Sequence, residues 1–332
     1  MATNLTAAPP RTVPTLLDSP WTRFAIRRTG QLVLSVWLLI TASFLIIHLI
    51  PGDPVRAALG PTAPAALVAA RRAALGLNDP IWLQYAHYLH GVFTGDLGTS
   101  ITLQEPVSQV IGTELPATLE LAVPAFLVAV AVAVPLGVAM GVLTRGGRAR
   151  RTELAFTSAS AVLGVVPDFL LGVAFVYVFG VRLGWLPVAG KTGADSFVLP
   201  VLSLAIGLAA ILARILRVEM IRVLQADYVR TARAKRLPAH VVYLRHALPN
   251  ALTAVLTVGG LLLSSLIAGT VLVENVFAWP GLGSEIVQSI LSKDYPVVQA
   301  IVLVYGIGVL GVNLAVDVAL ALLDPRSAIR EG

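Results

Sequence analysis

Apolar residues fall along this chain in long runs. A run of roughly 18 or more is enough to cross a bilayer as one helix. Thr29–Pro51 is such a run, with His48 its sole potentially ionising member. Leu121–Thr144, Ser196–Ala213, Ala247–Val273 and Tyr295–Val316 hold no charged side chain. Leu154–Val181 qualifies if Asp168 is accommodated within it. The pattern predicts an all-α polytopic membrane protein with about six spanning helices, Ser196–Ala213 being the shortest. The membrane domain covers residues 29–323. An outer loop at 52–115 and a cytoplasmic loop at 216–250 interrupt it. Tails at 1–28 and 324–332 flank it, and residues 1–20, rich in Pro, Thr and Ala, read as disordered.

Composition agrees with a lipid environment. Of 332 residues, 57% are hydrophobic and 13% charged, about half the charge of an ordinary soluble domain; mean hydropathy is +0.83. The net charge of +6 raises the question of nucleic acid, and its distribution answers it. Arg11, Arg23, Arg27 and Arg28 precede the first run, and Arg145, Arg148, Arg150 and Arg151 follow the second. Arg214, Arg217, Arg222, Arg230, Arg233, Lys235, Arg236 and Arg245 lie between the fourth and fifth, and Arg326 and Arg330 follow the last. The opposite loops carry only Arg56, Arg71, Arg72, Arg182, Lys191 and Lys293. This asymmetry is the positive-inside signature of a multi-pass cell-membrane protein with both termini cytoplasmic. No soluble basic domain with interleaved aromatics is present, so nucleic acid is not an expected partner, whereas membrane lipid is. The first run is too long for a signal h-region and lacks a nearby cleavage site, so it is expected to stay as an anchor.

Chemistry of other kinds is missing. The chain has three lysines, and only Lys191 sits in a Gly-Lys-Thr. The glycine that a phosphate-binding loop needs five residues before Gly190 is replaced by Trp185. No metalloprotease or nucleophile-elbow motif accompanies Asp168 or Asp317. Cysteine is absent, and His87 and His90, three apart after the Asp79-Pro80 helix start, lack a third ligand, so no metal site is expected. Gly137 and Gly141 form a GxxxG suited to close helix packing. Asn313 and Asp317, four apart, read as polar contacts between helices or as part of a gate. Asp168, beside the helix-loosening Pro167, either lines a pathway, where it meets an amino group, or bonds a neighbouring helix. Trp279-Pro280-Gly281 reads as an interfacial anchor and turn on the outer side.

The most distinctive stretch is Asp227–Pro249, DYVRTARAKRLPAHVVYLRHALP. Ile221, Leu224, Tyr228 and Ala232 share a stripe at helical spacing. Asp227 is expected to cap a short helix and Pro238 to stop it. The segment resembles the cytoplasmic EAA-xxx-G-x9-I-x-LP loop of permease subunits of ABC importers. Arg230, Thr231 and Ala232 take the first three positions, Arg236 the glycine position, His246 the isoleucine position and Leu248-Pro249 the closing pair. Tyr228–Lys235 is similar to the oligopeptide/dipeptide branch. So are HLIPGDP at 48–54, LGLNDP at 75–80, GDLGTSI at 95–101, LPATLEL at 115–121, RLGWLP at 182–187, ENVFAWPGLG at 274–283 and LDPR at 323–326.

The resemblance implies a type I importer permease fold and half of a translocation pathway for di- or oligopeptides. Related importers carry glutathione, nickel chelates or other small solutes, and an ion-gradient-driven transporter is the rival from another class. It implies a second homologous permease, one or two ABC ATPases holding ATP and magnesium, and an extracytoplasmic binding protein. This chain itself is expected to bind no cofactor and hydrolyse nothing. Asp227, Tyr228, Arg230, Thr231, Ala232, Arg233, Ala234, Arg236 and Leu237, with Leu248 and Pro249, fall in the ATPase-coupling segment. Trp279, Pro280 and Gly281 fall near the outer gate. At Arg236 glycine would take a left-handed turn at little cost, so the arginine is expected to extend the helix by a residue.

Overall fold

The computed structural model describes residues 20–49, 53–60, 62–74, 76–147 and 149–323. The tails expected at 1–28 and 324–332 lie outside the described residues, apart from 20–28, which already belong to the first helix. Arg148, residues 50–52 of HLIPGDP and residues 324–326 of LDPR lie outside them too. Among the described residues the only β pairing is an isolated bridge between Thr99 and Pro106. The helices are α1 (Pro20–Leu49), α2 (Pro54–Leu59), α3 (Ala65–Ala74), α4 (Ile81–Thr94), α5 (Val107–Thr144), α6 (Arg150–Val165) and α7 (Asp168–Phe175). They continue as α8 (Val198–Val223), α9 (Asp227–Ala234), α10 (Ala239–Val241), α11 (Leu248–Val276), α12 (Leu282–Ser292) and α13 (Tyr295–Leu323). Wider π turns extend α7 over Val176–Arg182 and join α10 to α11 over Val242–Ala247.

Helices α1, α5, α8, α11 and α13 are each long and apolar enough to cross a membrane, and α6 with α7 makes a sixth span if the bent pair is counted as one. That third span is not the straight run its hydropathy implies. Val166 and Pro167 are extended, at ψ 124° and 138°, because proline disfavours helical backbone in the residue before it. The two halves meet at 95°. The fourth span also departs from expectation. The helix continues through Arg214, Arg217 and Arg222 to Val223, so the cytoplasmic loop expected from 216 begins as helix. Its most apolar stretch is 72% buried, against 17% for α1; α8 is the axis of the bundle and α1 its edge.

Close approach explains how α8 is enclosed. Its most extensive contact is with α5. A Cβ on Gly137 would lie 2.8 Å from Leu216 Cβ, and one on Gly141 2.7 Å from Met220 Cβ. Both glycines of the GxxxG therefore let the two backbones touch, since association in lipid depends on packing. Arg217, 7% exposed, clasps the same crossing: its Nε donates to Thr144 Oγ1 at 2.9 Å and its Nη2 to Glu153 Oε1 at 2.5 Å. At 38 residues α5 is about 57 Å long, nearly twice a hydrocarbon core of about 30 Å. It starts fourteen residues before the apolar run and accommodates Pro116, Pro124 and Pro135.

Polar contacts fix the edges. Asn313 accepts from Ser264 of α11 at 2.9 Å, and Asp317 pairs with Arg28 of α1 at 2.9 Å; both act as ties between helices. Ser43 of α1 and Gln299 of α13 exchange hydrogen bonds, the Ser43 hydroxyl donating at 3.0 Å and the Gln299 amide at 3.1 Å. Asp294, 1% exposed, accepts from the Ser100 hydroxyl and from the Ile101 and Thr102 N–H groups, pinning the 99–106 turn to the start of α13. Asp53 caps α2 and pairs with Arg72 of α3 at 2.9 Å. Burial pushes its carboxyl up, but Arg72 and the Arg56 and Val55 N–H groups outweigh this and hold it below the usual 3.8.

Candidate functional site

Three places carry the residues singled out by sequence. The first is α9. Its buried side is Val229 and Ala232, 0% and 6% exposed, packed in one apolar cluster with Leu224, Val242, Ala247 and Met220. Tyr228, Arg230, Thr231, Arg233, Ala234, Arg236 and Leu237 are all exposed on the remaining faces. Tyr228 thus leaves the stripe expected of it; Val229 takes that place. Asp227 is the first helical residue and not the cap, since Ala226 occupies the cap without a side-chain bond. Its carboxylate favours the helix by charge at the N-terminus and lies 3.4 Å from Arg230 Nη1. Leu248 opens α11, and Pro249 sits in its first turn, where the missing N–H has no partner to lose.

Arg236 does not extend the helix. It adopts φ +56°, the left-handed region. Its N–H donates to Arg233 O at 2.9 Å and that of Leu237 to Ala232 O at 3.5 Å. These are the paired bonds of a Schellman turn, which normally holds glycine at this position. The turn is kept although the residue has changed: Pro238 forces Leu237 out of helical conformation, and the left-handed residue satisfies carbonyls that would otherwise be orphaned.

The second place is the bend in the third span. Pro167 is the N-cap of α7 and Asp168 its first residue, so the carboxylate stands at the positive end of a helix. Its oxygens point between α8 and α11. Cβ atoms on Gly207 and Gly269 would lie 3.3 Å from Oδ1 and Oδ2 respectively. No cation and no helix–helix hydrogen bond engages Asp168 among the described residues. Gly207 and Gly269 escape sequence reasoning; only their places opposite the carboxylate reveal them.

The third place is the α11–α12 hairpin. Trp279 is 1% exposed, and its indole N–H donates to Ala117 O of α5 at 2.9 Å. The expected interfacial anchor is therefore a core residue; a neighbouring carbonyl satisfies the polar end that would otherwise seek the membrane surface. Pro280 is exposed. Gly281 is extended, and a side chain there would strike Thr118 and Glu274. Glu274, wholly buried, accepts from the Gly283 and Ser284 N–H groups at 2.7 and 3.1 Å, capping α12 from the end of α11. Lys191 pairs with Glu120 and stands 5.8 Å from the Trp279 ring, and Gly190 N–H donates to Phe277 O at 2.8 Å. The loop before α8 is thereby fastened to the hairpin. Among the described residues no cluster suited to a metal ion occurs.

Comparison with known proteins gives these placements a context. Residues 133–329 match the family described as "Binding-protein-dependent transport system inner membrane component", and residues 21–122 match its N-terminal counterpart. The chain is 38% identical over 303 residues to the glutathione transport system permease protein GsiC of Salmonella typhimurium, covering 91% of this chain and 97% of that protein. It is 37% identical to that of Escherichia coli strain K12, with the same coverage. With that of Pectobacterium atrosepticum it is 39% identical over 302 residues, again 91% and 97%. In fold it is similar to a chain of the MetNI methionine ABC transporter in an inward-facing conformation. The TM-score is 0.56 at 17% identity, over 65% of this chain and 97% of that one.

Proposed function

Since this chain belongs to the family of binding-protein-dependent transport system inner membrane components, we propose that it carries glutathione or a short peptide of similar size through half of an importer's translocation pathway. It is a permease subunit of an ABC importer with the type I fold. Its cargo arrives from an extracytoplasmic binding protein, a second homologous permease completes the pathway, and ABC ATPases holding ATP and magnesium drive it. Both termini face the cytoplasm, following the arginine distribution. The observation that carries the substrate reading is the 38% identity to glutathione permeases over 91% of the chain.

The named residues take roles within that cycle. The exposed face of α9, with the turn after it as far as Leu237, docks on an ATPase, and the buried Val229 and Ala232 pass the displacement into α8 and α11. Leu248-Pro249 fixes the return into the membrane. Asp168 lines the pathway and meets the amino group of the passing solute, the Gly207 and Gly269 windows leaving it room. Trp279, Pro280 and Gly281 brace the outer gate through α5.

Uptake measured in proteoliposomes containing the whole transporter and its binding protein tests the reading. Labelled glutathione and a labelled dipeptide are offered separately, with ATP inside. ATP-dependent uptake of either supports it; uptake of neither, in a complex that hydrolyses ATP, overturns it.

A further inference from the structure

A cavity of about 230 Å³ lies where α4 and the 95–101 segment close over the adjoining ends of α1 and α13. None of its lining residues belongs to α7, α8 or α11, so it is separate from the Asp168 cleft. Its floor is buried, Phe44, Tyr295 and Gln299 being 6%, 7% and 8% exposed, and its rim, with His87 and Asp96, is exposed.

The polar groups of its lining residues divide into engaged and free. His48 is engaged, with Nδ1 3.1 Å from Phe44 O and Nε2 3.3 Å from Gln84 Oε1. The Tyr88 hydroxyl donates to Ser43 Oγ at 3.2 Å. The Gln299 amide nitrogen is taken by Ser43 O, and Asp96 Oδ1 accepts the Gly98 N–H at 3.1 Å. Among the described residues Gln299 Oε1, Asp96 Oδ2, the Tyr295 hydroxyl and both nitrogens of His87 have no partner. The buried Gln299 and the exposed Asp96, each with a free acceptor oxygen, thus line the cavity together with Phe44, Tyr88 and Tyr295. A carboxylate and an amide oxygen call for N–H donors, and ring faces attract a cation.

Size narrows the choice. At about 230 Å³ the cavity is below the roughly 300–1,000 Å³ of pockets that enclose drug-sized ligands, a size suited to a headgroup. The geometry points to a binding site for a primary ammonium group carried by a small zwitterion, with His87 at the exposed edge facing its acid end. The shared chemistry is that of ethanolamine phosphate, either as a phospholipid headgroup or as a free solute. Trp82 and Phe93 of α4, 68% and 76% exposed, place the cavity beside a helix with the aromatic dress of a membrane interface.

Two arms distinguish the sources. In the first, the full-length chain, in the assembly in which it purifies, enters nanodiscs of mixed ethanolamine, choline and glycerol phospholipids, and native mass spectrometry reads the retained lipid. In the second, O-phosphoethanolamine is titrated onto the same preparation in lipid-free detergent. Retained ethanolamine lipid identifies a lipid site. Saturable O-phosphoethanolamine binding without lipid retention identifies a soluble ligand. In either arm Asp96→Asn, on an exposed loop, weakens binding about tenfold, as loss of a charged hydrogen-bond partner does, and Tyr295→Phe weakens it less. The proposal is overturned by no binding in both arms, by undiminished binding to Asp96→Asn, or by equal retention of choline lipid, whose nitrogen offers no N–H. Because the cavity is remote from α9 and Asp168, its failure leaves the transport reading untouched.

Discussion

Replacing Arg236 by glycine isolates the energetics of the turn after α9. A left-handed backbone costs a residue with a Cβ about 1–2 kcal/mol, and Arg236 holds φ +56°. Glycine removes that cost but brings a more flexible unfolded chain, a penalty of about 0.4–1 kcal/mol. The Arg236 side chain is exposed and has no ion pair among the described residues, so its removal forfeits little else. The net gain is about 0.5–1 kcal/mol, confined to one turn. In a chain of 332 residues such a change moves the global melting point by only about one degree. Amide exchange resolves it locally. The Arg236 and Leu237 N–H groups, bonded to Arg233 and Ala232, should exchange about threefold more slowly in Arg236→Gly than in the parent. Arg236→Ala, which loses the charge but keeps the Cβ, should show no such slowing. If the alanine variant slows exchange as much as glycine, charge and not backbone strain explains the change. Faster exchange in the glycine variant would mean that the arginine side chain holds the turn.

Other outcomes follow from the same structure. Gly141→Ala drives a methyl toward Met220 Cβ at 2.7 Å and should destabilise the chain by about 1–3 kcal/mol. Gly112→Ala in the same helix meets nothing within 4 Å, so thermal unfolding that fails to separate the two refutes the packing argument. Asp168→Asn should raise the KM for a substrate amine about tenfold or more while leaving assembly and basal ATP hydrolysis unchanged; normal uptake removes Asp168 from the pathway. The Asp53 carboxyl is held below 3.8, so its tie to Arg72 is fully present above that pH and is lost as pH falls through the folded value. With one acid-active protease at each pH, the parent should therefore be cleaved within 53–74 more slowly than Asp53→Asn above that point and at the same rate below it.

What was legible in the sequence was whatever depends on composition along a line. Six apolar runs and the arginine-rich segment between the fourth and fifth are of that kind, as is the tolerance for glycines at 137 and 141. Direction was not legible. A hydropathy window across Leu154–Val181 averages over Val166 and Pro167, and so misses a 95° bend. The axial position of α8 was hidden because Arg214 and Arg217 cut its apolar run short; Arg217 is tolerated because Thr144 and Glu153 come to meet it. Trp279 beside Pro280 reads as interfacial until Ala117, 162 residues away, supplies a buried acceptor. Asp294 and Ser100, 194 apart, leave no local trace either. At Arg236 the motif's geometry proved more durable than its residue, because the need to satisfy the last carbonyls of α9 outlasts the glycine that usually meets it.

The glycine crossing of α5 and α8 has a mechanical consequence. A helix of 26 residues is a rod of about 39 Å, and Gly137 fixes it near Leu216. From Leu216 to Val223, where α9 hangs, is about 10 Å; from Leu216 back to Val198 is about 27 Å. Were α8 to tilt about that crossing, its arms would be unequal, with α9 beyond the end of the short one. A given swing at the α9 end becomes one between two and three times larger at the far end and opposite in sense.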